Sequence, residues 1–130
     1  FGTKNYFKIM IFISFFDSDY NFSATLARIC DIESDKLFFI SDVKSLSKHS
    51  FSEESIIIID IDDYKNSISK IALSIKNYTN SPIYGLINTV DIKIQKKATE
   101  FGFDIIMSKS TFLISLKTIK KQIKNNYKKS

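Results

Sequence analysis

Apolar and polar positions alternate along this chain in blocks that predict five strand-then-helix units. The densest apolar block is Ser55–Asp63, SIIIIDIDD, where four consecutive isoleucines run into an acidic cluster. A β-branched run without alternation predicts a strand buried on both faces. Other apolar runs predict strands over Lys8–Phe16, Lys36–Ile40, the PIYGLIN segment opened by Pro82, and Ile105–Met107. Helical spacing fills the gaps. Phe22, Leu26, Ile29 and Cys30 mark a first helix, capped by Asp19 or Asn21, and a short helix covers Ser41–Lys48. Ile68, Ile71, Ala72 and Ile75 mark a helix ending near Asn77, and another runs from Asp91 to a stop at Gly102. A last helix is predicted over Thr111–Asn125, with Phe112, Leu116, Ile119 and Ile123 on one face. Strict strand–helix alternation implies an α/β fold, a parallel sheet with right-handed crossovers and helices on both faces. The expected core includes Phe12, Ile56, Ile58, Leu86 and Ile105.

Charge sharpens this picture in one place. The chain of 130 residues carries a net charge of +5, but seven of its 19 basic residues follow Asp104 with no acid among them, leaving 12 against 14 acids elsewhere. The basic character belongs to the last helix and a tail, which reads as a solvated face suited to the helix dipole rather than a nucleic-acid footprint. Residues 1–7 read as an N-terminal extension, 8–125 as one domain and 126–130 as a basic tail. The IMIFISFF segment at Ile9–Phe16 is too short to span a bilayer and reads as a strand, with no membrane association expected. One cysteine, Cys30, excludes an internal disulfide and fits a reducing cytoplasm. With one histidine, His49, it also leaves no basis for a zinc site. Three glycines cannot assemble a glycine-rich phosphate loop, and the acidic first loop, DSDYN, argues against flavin phosphate.

Candidate chemistry gathers where strands end. In an open parallel sheet, ligands bind beyond the carboxyl ends of the strands. The third strand delivers Asp60, Asp62 and Asp63 there, and the first delivers Asp17 and Asp19. Asp62 and Asp63 read as acids that stop the strand and cap the following helix.

Two motifs carry a resemblance. IIIIDI at Ile56–Ile61 resembles the apolar run ending in the phosphorylated aspartate of response-regulator receiver domains. ATEFGFDIIMSK at Ala98–Lys109 resembles that family's alanine, three residues, glycine, small residue, aspartate, then strand ending in lysine. The resemblance spans about residues 8–124 and implies a flavodoxin-like three-layer sandwich, with five parallel strands in the order 2-1-3-4-5. It implies Asp60 as phosphoacceptor, Lys109 as the lysine that pairs with the phosphoryl group, and Mg²⁺ held by Asp17, Asp19 and Asp60. It departs from the family at Ile87, where a Thr or Ser is usual, at Ile106, where an aromatic is usual, and at Ser110, where a proline is usual. The implied function is an atypical receiver domain acting as a cytoplasmic signalling-interaction module. The alternative is a competent acceptor that takes a phosphoryl group from a histidine kinase in a two-component system, its activity being self-phosphorylation and dephosphorylation at Asp60. An unrelated flavodoxin-like enzyme would need a small-molecule pocket that the sequence does not disclose. The resemblance further implies partners among signalling proteins, and a homodimer face made by the Asp91 helix, the fifth strand and the last helix.

Overall fold

A computed structural model describes residues 9–48 and 54–129. Its sheet contains β1 (Ile11–Phe15), β2 (Lys36–Phe39), β3 (Ser55–Asp60), β4 (Ile83–Ile87) and β5 (Ile105–Ser108). All neighbours pair in parallel, in the order β2-β1-β3-β4-β5. The helices are α1 (Tyr20–Ile32), α2 (Ile68–Lys76), α3 (Ile92–Glu100), α4 (Lys109–Ile114) and α5 (Leu116–Lys129). Short 3-10 turns cover Val43–Lys48, where a short helix is expected from sequence, and Lys65–Ser67. His49 and Lys8 lie outside the described residues.

The isoleucine run behaves as its composition dictates. Every residue of β3 is buried, and alternate side chains feed opposite layers. Ile57 and Ile59 join Ile13 and Phe15 under α2 and α3, where Ile71, Ala72, Ile75 and Ala98 close the layer. Ile56 and Ile58 join Phe12 and Leu86 under α1 and α5, against Leu26, Cys30, Ile119 and Ile123. Ile105 differs from expectation: it begins β5 at the sheet edge and is 37% exposed.

The single helix predicted over Thr111–Asn125 is two. α4 begins at Lys109, and a break at Ser115 separates it from α5, whose backbone continues to Lys129. Backbone bonds from Ser115 to Thr111 and from Ile119 to Ser115, both 2.9 Å, carry the helical rise through the break. Phe112, Leu116, Ile119 and Ile123 therefore stay on one buried stripe. Gly102 adopts φ +100° where α3 ends, a conformation that a Cβ would strain.

Candidate functional site

The sheet register brings the carboxyl ends of β1, β3, β4 and β5 together. Phe15 pairs with Ile59, Asp60 with Leu86, and Ile87 with Ser108. Ile13 pairs with Ile57, three residues short of Asp60, so the acids that share its edge come from the loop after Phe16.

Each charged side chain at this edge is aimed by a local backbone device. The Ser108 hydroxyl caps α4 by accepting the Thr111 amide at 3.1 Å, making Lys109 the first helical residue. Asp19 caps α1: its Oδ1 accepts the Phe22 amide at 3.0 Å, which leaves Oδ2 free to face Lys109. Asp60 Oδ1 accepts the Asp62 amide at 2.9 Å within a turn closed by the Asp63 and Tyr64 amides on the Asp60 carbonyl.

Lys109 is the hub. Its Nζ lies 3.0 Å from Asp60 Oδ2, 3.1 Å from Asp19 Oδ2 and 3.5 Å from Asp62 Oδ2. It also lies 5.5 Å from the ring centre of Phe16, which stacks on Phe22 at 4.4 Å. The Lys109 side chain is 9% exposed and that of Asp60 1%. The structure thus brings Asp60, Asp19 and Lys109 together. Asp17 is turned elsewhere, its Oδ2 accepting the Tyr64 hydroxyl at 2.9 Å.

Asp62 and Asp63 do not cap a helix. α2 starts only at Ile68, and its cap position, Ser67, makes no side-chain capping bond. Asp63 instead straps the first loop, its Oδ2 accepting the Asp17 and Ser18 amides at 2.9 and 3.2 Å and its Oδ1 the Ser18 hydroxyl. Asp62 Oδ2 accepts the Asn88 amide just past β4 at 3.0 Å. Sequence reasoning also passed over Tyr64 and Phe16. The available signal was an aromatic directly abutting each acidic run, FFDSD and DIDDY.

Burial and local partners shift the acids of the cluster in different directions. Burial pushes the Asp60 carboxyl above the usual range, and Lys109 offsets only part of that. Burial works against the Lys109 ammonium, but Asp60 and Asp19 outweigh it and raise its pKa. The Phe22 amide holds Asp19 below the usual range against the effect of burial. Burial likewise pushes Asp63 up, but the Ser18 hydroxyl and the loop amides outweigh it and hold it low. Tyr64 is pushed upward by burial and by its bond to Asp17.

A hard divalent cation needs several oxygens converging on one open point. Here that point is taken by the Lys109 ammonium, while Asp63 and Asp17 are committed to the loop amides and Tyr64. Among the described residues no group of three or more histidine, cysteine or acidic side chains is arranged to hold a metal ion. In this arrangement the carboxylates of Asp60, Asp19 and Asp62 surround an internal ammonium.

A parallel sheet of order 2-1-3-4-5 with helices between its strands is the flavodoxin-like fold that receiver domains share. Two solved response regulators bear this out, and a third structure of other description is also similar. A response regulator in red light signaling of R. palustris superposes with TM-score 0.60 at 13% identity, over 85% of this chain and 91% of that one. A response regulator receiver protein from Pseudoalteromonas atlantica gives TM-score 0.64 at 19% identity, over 91% and 98%. A fusion containing a yeast trimeric coiled-coil segment gives 0.71 at 17%, over 92% and 80%. No family model matches the sequence, and no curated protein matches it. The chain has the fold of response-regulator receiver domains. Among the described residues no helix is long and apolar enough to cross a membrane.

Proposed function

We propose that this chain is an atypical receiver domain that works as a protein-interaction module in signalling, with Asp60 at the phosphoacceptor position. The observation that carries the reading is Ile87. It is 1% exposed, packs in the apolar layer under α2 and α3, and pairs with Ser108 immediately before Lys109. A hydroxyl at that strand end could follow a phosphoryl group on Asp60; an isoleucine offers it no hydrogen bond. Ile106, at the position of the usual switch aromatic, is likewise buried in that layer. A ligand shifts a conformational equilibrium only through differential interactions with its states, and these two residues remove the usual ones.

The contact surface in this reading is the face of α3, β5 and α5. Exposed Lys93, Lys96, Lys97, Lys117 and Lys121 favour an acidic protein partner or a second copy with a complementary patch. A second reading, a competent acceptor served by a histidine kinase, is supported by the 3.0 Å Lys109–Asp60 pair. There Asp60 Oδ2 would attack the phosphorus of the kinase's phosphohistidine, the P–N bond would break with the imidazole as leaving group, and Lys109 would balance the charge of the aspartyl phosphate.

Titration with beryllium fluoride and Mg²⁺, followed by amide NMR, separates the two. The interaction-module reading expects shifts confined to the neighbourhood of Asp60 and Lys109 that fade before Ile106. Shifts spreading through α3 and β5 establish the competent acceptor instead.

A further inference from the structure

The Asp62 carboxylate joins two donors that belong to different strand ends. Its Oδ2 accepts the backbone N–H of Asn88, past β4, at 3.0 Å and lies 3.5 Å from Lys109 Nζ, past β5. A backbone N–H and a buried ammonium directed at one oxygen make an anion-binding arrangement. Both donors flank Asp60, whose Oδ2 is 3.0 Å from the same ammonium and whose Oδ1 accepts the Asp62 amide. The three side chains differ in freedom. Those of Asp60 and Lys109 are 1% and 9% exposed, whereas that of Asp62 is 32% exposed. Asp62 can therefore turn out to solvent without repacking the core, and its departure takes one negative charge away from Asp60. Asp63 cannot replace it, because both its oxygens are engaged by the Asp17–Ser18 loop.

We propose that Asp62 is an internal plug: its carboxylate occupies the place beside Asp60 where a tetrahedral oxyanion would be held by the Asn88 amide and Lys109, and so restrains anion binding at Asp60. The inference rests on the reading of Asp60 as the acceptor position and adds to it a self-inhibitory contact. It accounts for an acid lying within reach of both donors when the edge already carries more carboxylates than ammonium groups.

The test compares wild type with Asp62→Ala and Asp62→Asn, all with Mg²⁺ present, in two stages. Before any anion is added, hydrogen exchange of the Asn88 amide reads the contact itself. In Asp62→Ala it should quicken about tenfold as a charge-assisted bond is lost, while in Asp62→Asn, which keeps an acceptor oxygen, it should change less. Beryllium fluoride is then titrated. The proposal expects Asp62→Ala to bind at least about tenfold more tightly than wild type, with the Asn88 amide and Lys109 Nζ shifting together. An unchanged Asn88 amide in Asp62→Ala shows that the plug does not exist and leaves the acceptor reading intact. Equal binding by wild type and Asp62→Ala, or binding by neither, overturns the plug as a restraint. Far-ultraviolet circular dichroism of each variant checks that the fold is retained.

Discussion

Replacing Lys109 with methionine keeps the reach of the side chain and removes its charge, which tests what the buried ammonium does. In the native site it faces Asp60 at 3.0 Å, Asp19 at 3.1 Å and Asp62 at 3.5 Å. A unit pair at that first distance attracts by about 5–6 kcal/mol at an effective dielectric constant of about 20, and desolvation of the two ions cancels much of it. Removing one partner strands the other, and for buried pairs that costs about 3–5 kcal/mol. Against a typical total stability of about 5–15 kcal/mol this is a large fraction. Asp60→Asn behaves differently. Lys109 keeps Asp19 and Asp62, and a buried charge repelled by its neighbours disappears, so this variant should lie within about 1 kcal/mol of wild type or exceed it. In the Lys109→Met background, Asp60→Asn should recover about 2 kcal/mol or more, a coupling expected of residues in direct contact.

The sign of the pH dependence follows from Asp60. Its folded pKa is raised, so the stability it contributes is fully present below the ordinary carboxylate range and is lost as pH rises through the folded value. Taking Lys109 away raises that value further. The Lys109→Met penalty should therefore be smaller in mildly acidic buffer than at neutral pH. Asp19 and Asp63, whose values are lowered, act in the opposite sense: their stability is present above the ordinary range and is lost as pH falls through their folded values. Urea unfolding followed by far-ultraviolet circular dichroism measures all four members of the cycle; with no tryptophan and six tyrosines, tyrosine emission is the second probe. A Lys109→Met variant as stable as wild type at neutral pH, with no rescue by Asp60→Asn, refutes the role of the ammonium as the internal counter-ion.

Three further outcomes probe the frame around the site. Ile58→Ala, at a fully buried position of β3, should cost about 2–5 kcal/mol in urea unfolding. Gly85→Ala should cost about 1–3 kcal/mol in the same assay, because its Cβ would approach the Ile61 Cδ1 to 2.5 Å. Cys30, buried and with its thiol pushed up to about 12 by burial and then by Asp35, should resist thiol reagents in the folded protein and react when urea unfolds it.

The sheet was legible in the sequence because its signals are local and redundant. An uninterrupted isoleucine run, a proline opening β4 and a glycine at φ +100° each specify backbone structure within a few residues. Asp60 and Lys109 were legible as a pair through the order and spacing of the motifs that carry them. Asp62 and Asp63 were not, because an aspartate after a strand suits a helix cap and a cross-strand strap equally well. What decides between them is an amide 26 residues away at Asn88 for the one and the loop 45 and 46 residues away at Ser18 and Asp17 for the other. The break at Ser115 was hidden for a related reason. The apolar stripe continues across it, and periodicity reports the stripe rather than the capping by Ser108 that moves the helix start to Lys109.

Gly85 ties the acidic edge to the proposed contact surface. A side chain there would meet Ile61 Cδ1 at 2.5 Å and both Ile106 Cδ1 and Phe103 Cδ2 at 2.8 Å. The space above the middle of β4 is thus already filled from two directions, by the residue that follows Asp60 and by residues at and just before β5. Ile106 is therefore closely packed where it stands, as protein interiors generally are. A side chain that swings inward on activation needs both an attraction at the acceptor site and room to receive it. On the proposed reading Ile87 removes the side-chain part of the first, and the packing over Gly85 limits the second. On that reading, the face formed by α3, β5 and α5 would be presented in one arrangement whatever the state of Asp60, the property required of a module whose partner recognises the fold itself and not its phosphorylation.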